Sequence, residues 1–147
     1  MGDVLALGRQ VCFPLYAASR ALTDLYRPIL DEFGLTYPQY LVLLVLWEEP
    51  DRPQTVKRIG ECLQLDSGTL SPLLKRLERA GLLTRRRAAR DERSVEIALT
   101  GAGRGLRDRV TDVPHRVAGA TGLSEAELTN LRDTLDRIIR SVRQQKE

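Results

Sequence analysis

A mainly α-helical fold with one small β-hairpin, an α+β arrangement, is predicted by three features of the sequence. Apolar residues recur at spacings of three and four over most of the chain. Two short amphipathic segments near its centre are joined by about four residues. An arginine-rich segment then leads into a strand-like alternation of Val95, Ile97 and Leu99. At 147 residues, with 42% apolar and 29% charged side chains, the chain has the size and composition of one globular domain.

The first helix is predicted from about Arg9 or Cys12 to Phe33. Cys12, Leu15, Ser19, Leu22, Tyr26, Ile29 and Phe33 form a mostly apolar stripe, and Gly34 is a suitable stop. Pro14 suits a first turn, whereas Pro28 predicts a kink. Thr36-Tyr37-Pro38-Gln39 reads as a capping box. It opens a helix through Leu41–Trp47 that is apolar on every side and therefore buried.

Pro50–Pro53 is a turn. Val56, Ile59, Gly60 and Leu63 then share one helical face, and Leu70, Leu73, Leu74 and Leu77 share another beyond Gln64–Ser67. This is a helix-turn-helix pattern. Pro72 fits the second helix only if that helix starts near Thr69 or bends. Gly81 ends it. Strands at Leu83–Arg87 and Ser94–Leu99, with a charged tip at Ala88–Arg93, complete a winged helix-turn-helix over 55–99.

Further on, Leu106, Val110, Val113 and Val117 make a stripe broken around Gly119 and Gly122. Ser124 and Glu127 form a second capping box. It starts a helix bearing Leu128, Leu131, Leu135, Ile138, Ile139 and Val142. Long apolar stripes on the terminal helices call for a partner surface. Residues 9–49 and 100–147 are therefore read as dimerisation helices flanking the winged module, within a single domain spanning 1–147.

Charge distribution gives a partner class. From Lys75 to Arg93 eight basic residues accompany three acidic ones, a local +5 in a chain of net charge +3. Concentrated on a helix-turn-helix, such a stretch fits double-stranded DNA. Projection of the second helix puts Gly68, Ser71, Pro72, Lys75 and Arg79 opposite the leucines, with Thr69 and Arg76 at the margins. These small, hydroxyl and cationic side chains suit approach to bases and phosphates. A two-fold dimer would read a palindromic operator, with half-sites roughly 34–36 Å apart.

Other classes lose support. The N-terminus MGDVLALGRQ lacks a secretory pattern, Ala6 stands where a myristoylation motif wants Ser or Thr, and Leu41–Trp47 is too short to span a bilayer. A cytoplasmic protein without membrane contact is expected. Two cysteines and one histidine make a poor metal site, and no phosphate loop or nucleophile elbow occurs. Neither cofactor, metal nor enzymatic activity is expected.

Cys12 admits two readings. A cysteine on an apolar stripe is ordinarily a small core residue. Pro14, however, places it near the amide groups of a helix start, where a thiolate, the peroxide-reactive form, is favoured. Tyr16 lies one turn further on and can donate a hydrogen bond. Cys62, on the flank of its helix stripe, is read as a packing residue.

Cys12-Phe-Pro-Leu-Tyr-Ala-Ala-Ser-Arg20, Tyr26-Arg-Pro28, Leu35-Thr-Tyr-Pro-Gln-Tyr40, Leu65-Asp-Ser-Gly-Thr-Leu-Ser-Pro72, Leu74-Lys-Arg-Leu-Glu78 and Asp91-Glu-Arg-Ser94 closely resemble the organic-hydroperoxide-sensing repressors (OhrR) of the MarR family. The resemblance covers nearly the whole chain. It implies a homodimeric repressor that holds its operator while Cys12 is reduced and releases it when organic hydroperoxide oxidises that thiol to a sulfenic acid. It also implies that Tyr26 and Tyr37 hydrogen-bond the sulfur across the dimer, with Tyr16 nearby. Ser67, Thr69, Ser71, Lys75 and Arg76 would lie on the segment entering the major groove. Arg93 would enter the minor groove, oriented by Asp91. The basic stretch itself adds Arg79, Arg86 and Arg90 as candidate DNA contacts. No cysteine follows Cys62, so the chain looks like the one-cysteine branch, in which a small external thiol forms a mixed disulfide. The competing expectation is a MarR-type regulator controlled by a phenolic or aromatic ligand, with Cys12 structural.

Overall fold

Side-chain caps set where most of the helices begin. The computed structural model describes residues 2–146, except the side chain of Glu92. A short 3-10 turn at Leu7–Arg9 precedes α1 (Cys12–Asp31), whose start has no side-chain cap. α1 is continuous through Pro28, which deprives the Asp24 carbonyl of its helical donor. It ends two residues before the expected Phe33. Gly34 takes φ +69°, and the Leu35 amide returns to the Leu30 carbonyl at 3.1 Å. α2 (Tyr37–Glu48) opens on the predicted box: the Gln39 amide donates to Thr36 Oγ1 at 3.3 Å and the Thr36 amide to Gln39 Oε1 at 3.0 Å.

α3 (Val56–Leu63) is capped by Thr55 and α4 (Ser67–Arg79) by Asp66, which accepts from the Thr69 amide at 2.7 Å. The link between them is tight. Gln64 sits in the left-handed region at φ 60°, and a Cβ on Gly60 would stand 2.7 Å from the Leu65 carbonyl oxygen. α4 starts earlier than Thr69, so Pro72 is its sixth residue and the Gly68 carbonyl forgoes a helical donor. Gly81 closes α4 with φ +77°.

Three antiparallel strands form one sheet in the order β1-β3-β2: β1 (Gln54–Thr55), β2 (Leu83–Ala88) and β3 (Asp91–Leu99). β1 was not expected from sequence. β2 and β3 pair from Leu83 opposite Leu99 to Arg87 opposite Val95, and then a bulge brings Ala88 opposite Asp91. The tip is therefore shorter than predicted, and Asp91 to Arg93 belong to β3. α5 (Gly101–Arg109) follows, capped by Thr100.

Residues up to 111 form one compact unit. Its core combines Leu30, Val42, Leu43, Leu46, Trp47, Ile59, Leu70, Leu74, Leu77, Leu83 and Ile97, all buried. Residues from 112 onward form a second unit, with α6 (Val113–Ala120) and α7 (Glu125–Gln144). The predicted stripe from Leu106 to Val117 is thus divided between α5 and α6, although all four side chains are buried. α7 begins on the predicted Ser124–Glu127 box. It buries none of its residues, and Leu131, Ile138, Ile139 and Val142 are exposed. No described helix is long and apolar enough to cross a membrane.

Candidate nucleic-acid interface and thiol site

α4 divides cleanly into two faces. Leu70, Leu73, Leu74 and Leu77 are buried, while Ser67, Thr69, Lys75, Arg76 and Arg79 are exposed and Ser71 is half-buried. The predicted reader residues of this helix therefore share its open side. Asp66, at the entry, is held below the usual carboxylate range by hydrogen bonds from the Thr69 amide and side chain, and from the Gly68 amide. Its charge favours the helix start, as an anion near the N-terminal amides should.

The wing's cations are not equivalent. Glu78 on α4 grips Arg85, accepting from its Nε at 3.3 Å and its amide at 3.1 Å. This contact pins the root of β2 to α4. Arg86 pairs with Glu96 of the facing strand at 3.5 Å, so part of its charge is spent within the sheet. Arg90 and Arg93 are exposed at and beside the tip. Asp91 Oδ1 accepts the Arg93 main-chain amide at 3.0 Å. Arg87, which was not singled out from sequence, is also exposed on β2. Two-residue strand periodicity sets it on the side of Arg85, two residues nearer the tip.

The thiol side is built differently. Cys12 is the first residue of α1 and is exposed, as is Cys62 on α3; both thiols are free. Cys62 is thus not the packing residue expected, because α3 buries Ile59 and Gly60 instead. Beyond Cys12, Tyr16 is 61% exposed and lies under the Arg20 guanidinium, 5.5 Å from the ring centroid.

Tyr26 and Tyr37 form a pair, their rings stacked with centroids 4.5 Å apart at 30°. Tyr40, which the sequence reading did not place in the site, lies 5.9 Å from Tyr26. Its spacing of three from Tyr37 on α2 was the available signal. Burial, with the neighbouring Tyr37 and Tyr40 adding to it, pushes the Tyr26 phenol up to about 12. Burial likewise raises Tyr37, and burial followed by Tyr37 raises Tyr40. All three phenols are therefore neutral O–H donors at physiological pH. A cleft of about 330 Å³ includes Tyr37 in its wall, together with Thr23, Arg27, Asp31, Leu35 and Thr36 among others.

A single chain does not gather the predicted thiol pocket. Cys12 and Tyr26 occupy the same helix, separated by about 21 Å at 1.5 Å per residue. Tyr16 is near the thiol; Tyr26 and Tyr37 are not. Among the described residues no group of His, Cys, Asp and Glu could hold a metal ion.

Comparison with known proteins places this arrangement. The family model of the transcriptional regulators SarA/Rot matches residues 24–110. The organic hydroperoxide resistance transcriptional regulator of Bacillus subtilis is 46% identical over 142 residues, covering 97% of this chain and 95% of that protein. Reduced AbfR bound to DNA, from Staphylococcus epidermidis, superposes with a TM-score of 0.76 at 39% identity, covering 92% of this chain and 94% of its own. The disulfide-formed AbfR gives 0.62 at the same identity, over 90% and 92%. The chain therefore belongs to the SarA/Rot family of transcriptional regulators, winged-helix proteins of the MarR type.

Proposed function

We propose that this regulator is a cytoplasmic homodimeric repressor that releases a palindromic operator when an organic hydroperoxide oxidises Cys12. The observation carrying the reading is the exposed Cys12 at the uncapped start of α1, remote from the tyrosine pair of its own chain. Pairing of two chains through α1 and α7 would cover the exposed Leu15, Leu22, Ile138 and Ile139. It would also bring Cys12 of one chain to Tyr26 and Tyr37 of the other. The name of the Bacillus relative supports the oxidant class, and AbfR has been solved both reduced on DNA and with a disulfide formed.

In the reduced dimer, α4 enters the major groove with Ser67, Thr69, Ser71, Lys75 and Arg76, supported by Arg79. The wing presents Arg86, Arg90 and Arg93 to the backbone and minor groove, with Asp91 holding the Arg93 main chain. The Cys12 thiolate attacks the distal peroxide oxygen. An S–O bond forms, the O–O bond breaks, and the leaving alkoxide takes a proton and departs as the alcohol. Sulfur is oxidised by two electrons and the peroxide reduced by two, leaving a sulfenic acid. A small external thiol then condenses with it, giving a mixed disulfide and water. Neutral phenols that donate to a thiolate fit neither an added oxygen nor a bulky adduct. A thousandfold loss of operator affinity requires about 4 kcal/mol between the two states.

The test pairs mass spectrometry of Cys12 with operator binding on the same samples. Wild-type protein is expected to gain one oxygen or a thiol adduct on Cys12 and to release the operator. Cys12→Ser is expected to stay bound. Release from Cys12→Ser at an equal hydroperoxide dose would overturn the reading. The cleft beside Tyr37 favours one rival, control by a phenolic ligand with Cys12 inert. Release by such a ligand under reducing conditions, with Cys12 unreactive to labelling, would establish that rival instead.

A further inference from the structure

The row of rings that starts at Tyr37 and Tyr26 continues past Tyr40. Trp47, 5% exposed, meets Tyr40 edge-on, with centroids 6.5 Å apart at 69°. Its indole N–H donates to the Gly103 carbonyl at 2.9 Å, a buried bond across 56 residues of sequence. Gly103 in turn sits against the joint between reader helix and wing. A Cβ there would collide with the Leu82 carbonyl. The Gly103 amide donates to Thr100 Oγ1 at 3.0 Å, and that hydroxyl donates to the Gly81 carbonyl at 2.6 Å. The Thr100 amide closes onto the Leu82 carbonyl at 3.1 Å. Gly81 and Leu82 are two of the three residues, 80–82, that link α4 to β2.

α5 is poorly suited to hold this position unaided. Three of its nine residues are glycine, at 101, 103 and 105. Only Gly103 is explained by close approach; a Cβ at Gly101 or Gly105 would meet nothing within 4 Å. Glycine is the weakest ordinary helix former after proline, so α5 depends on outside contacts. Trp47 supplies one of them, a buried hydrogen bond to its backbone. Arg104, on the rim, reaches Asp51 at 3.4 Å but is half exposed.

We propose that Trp47 is a positioning residue that couples the Tyr26–Tyr37 pair to the joint between α4 and the wing by holding α5 at Gly103. Displacing either tyrosine leaves space beside Tyr40, into which the Tyr40 and Trp47 rings move. A shift of about 1 Å takes the indole N–H out of hydrogen-bonding range. The Gly103 carbonyl then loses its buried donor, α5 loosens, and the Thr100–Gly81 clasp no longer fixes the wing against α4. The coupling rests on the redox reading only for the event that moves the tyrosines, so it is tested first without oxidation.

The test is a double-mutant cycle on operator binding by the reduced full-length dimer, using Tyr37→Leu and Trp47→Phe. Each single substitution is expected to weaken binding about tenfold, and the pair no more than either alone, because both break one line of contact. Multiplying losses, near a hundredfold for the pair, would show a merely structural Trp47 and overturn the proposal. A Tyr37→Leu protein that binds like wild type would overturn it equally. A second measurement needs no substitution in the core, because Trp47 is the single tryptophan of the chain. Hydroperoxide is expected to red-shift its emission and raise its quenching by iodide in wild-type protein but not in Cys12→Ser. Operator release with unchanged Trp47 emission would sink the coupling and leave the Cys12 reading intact. If hydroperoxide changes neither, the Cys12 reading fails and the mutant cycle alone decides the coupling.

Discussion

The winged module and the front half of α1 obey opposite packing rules. In the module, each helix buries its leucine or isoleucine face within the chain: Ile59 on α3 and Leu70, Leu74 and Leu77 on α4 are all fully covered, as is Ile97 of the sheet. Its polar face is left to solvent. On α1, no residue before Ile29 is fully buried, although Tyr26 is half-buried, and Phe13, Leu15, Tyr16 and Leu22 lie open. α7, taken by itself, repeats the second pattern. One region is finished by a single chain and the other is not. A reader of DNA must keep one shape against a rigid duplex, whereas a switch needs a surface whose packing can change.

Two substitutions separate these regions. Leu70→Ala removes a fully buried side chain and is expected to cost 2–5 kcal/mol, about what deleting a core leucine costs. Urea unfolding should show that loss at every protein concentration. Ile138→Asp puts a charge on the open face of α7 and should leave the fold of each chain intact. Its expected effect is on assembly, a tenfold or greater weakening of the dimer by sedimentation. If Ile138→Asp unfolds dilute protein as readily as Leu70→Ala does, then α7 is core and the contrast fails. If Leu70→Ala becomes harmless at high concentration, the module is not self-sufficient.

Local chemistry made much of this legible from sequence. Thr36 with Gln39 and Ser124 with Glu127 announce helix starts through bonds that span three residues. The leucines of α4 declare its buried side by spacing alone. Misreadings arose where the deciding contact is distant or where one local rule masks another. β1 is two residues long and exists only because Gln54 and Thr55 find Ile97 and Glu96. Pro72 drew attention to a late helix start, while the Asp66 cap had already set an earlier one. Cys62 lies at the margin of a stripe, where periodicity does not distinguish inside from outside. The row from Tyr37 to Trp47 and on to Gly103 joins two helices and a third more than fifty residues later. Every ring is visible in the sequence, but nothing local says that they touch.

The smallest expected effect probes the tyrosine pair itself. Folding raises the Tyr26 phenol from its ordinary value of 10.0 to about 12, chiefly by burial. The folded chain then holds a proton that the unfolded chain gives up between those values, so stability must fall as pH rises across that window. Below pH 10 the contribution is complete; as pH rises through 12 it is gone. Tyr26→Phe cannot ionise, so its unfolding midpoint should decline less between pH 10 and 12 than that of the wild type. Alkaline titration of tyrosinate absorbance should show the matching late step in the wild type and lose it in Tyr26→Phe. Equal declines in both proteins would mean that Tyr26 is wet in the folded chain. The pair would then be an open surface awaiting its partner, like the rest of α1, rather than the first buried link toward the reader.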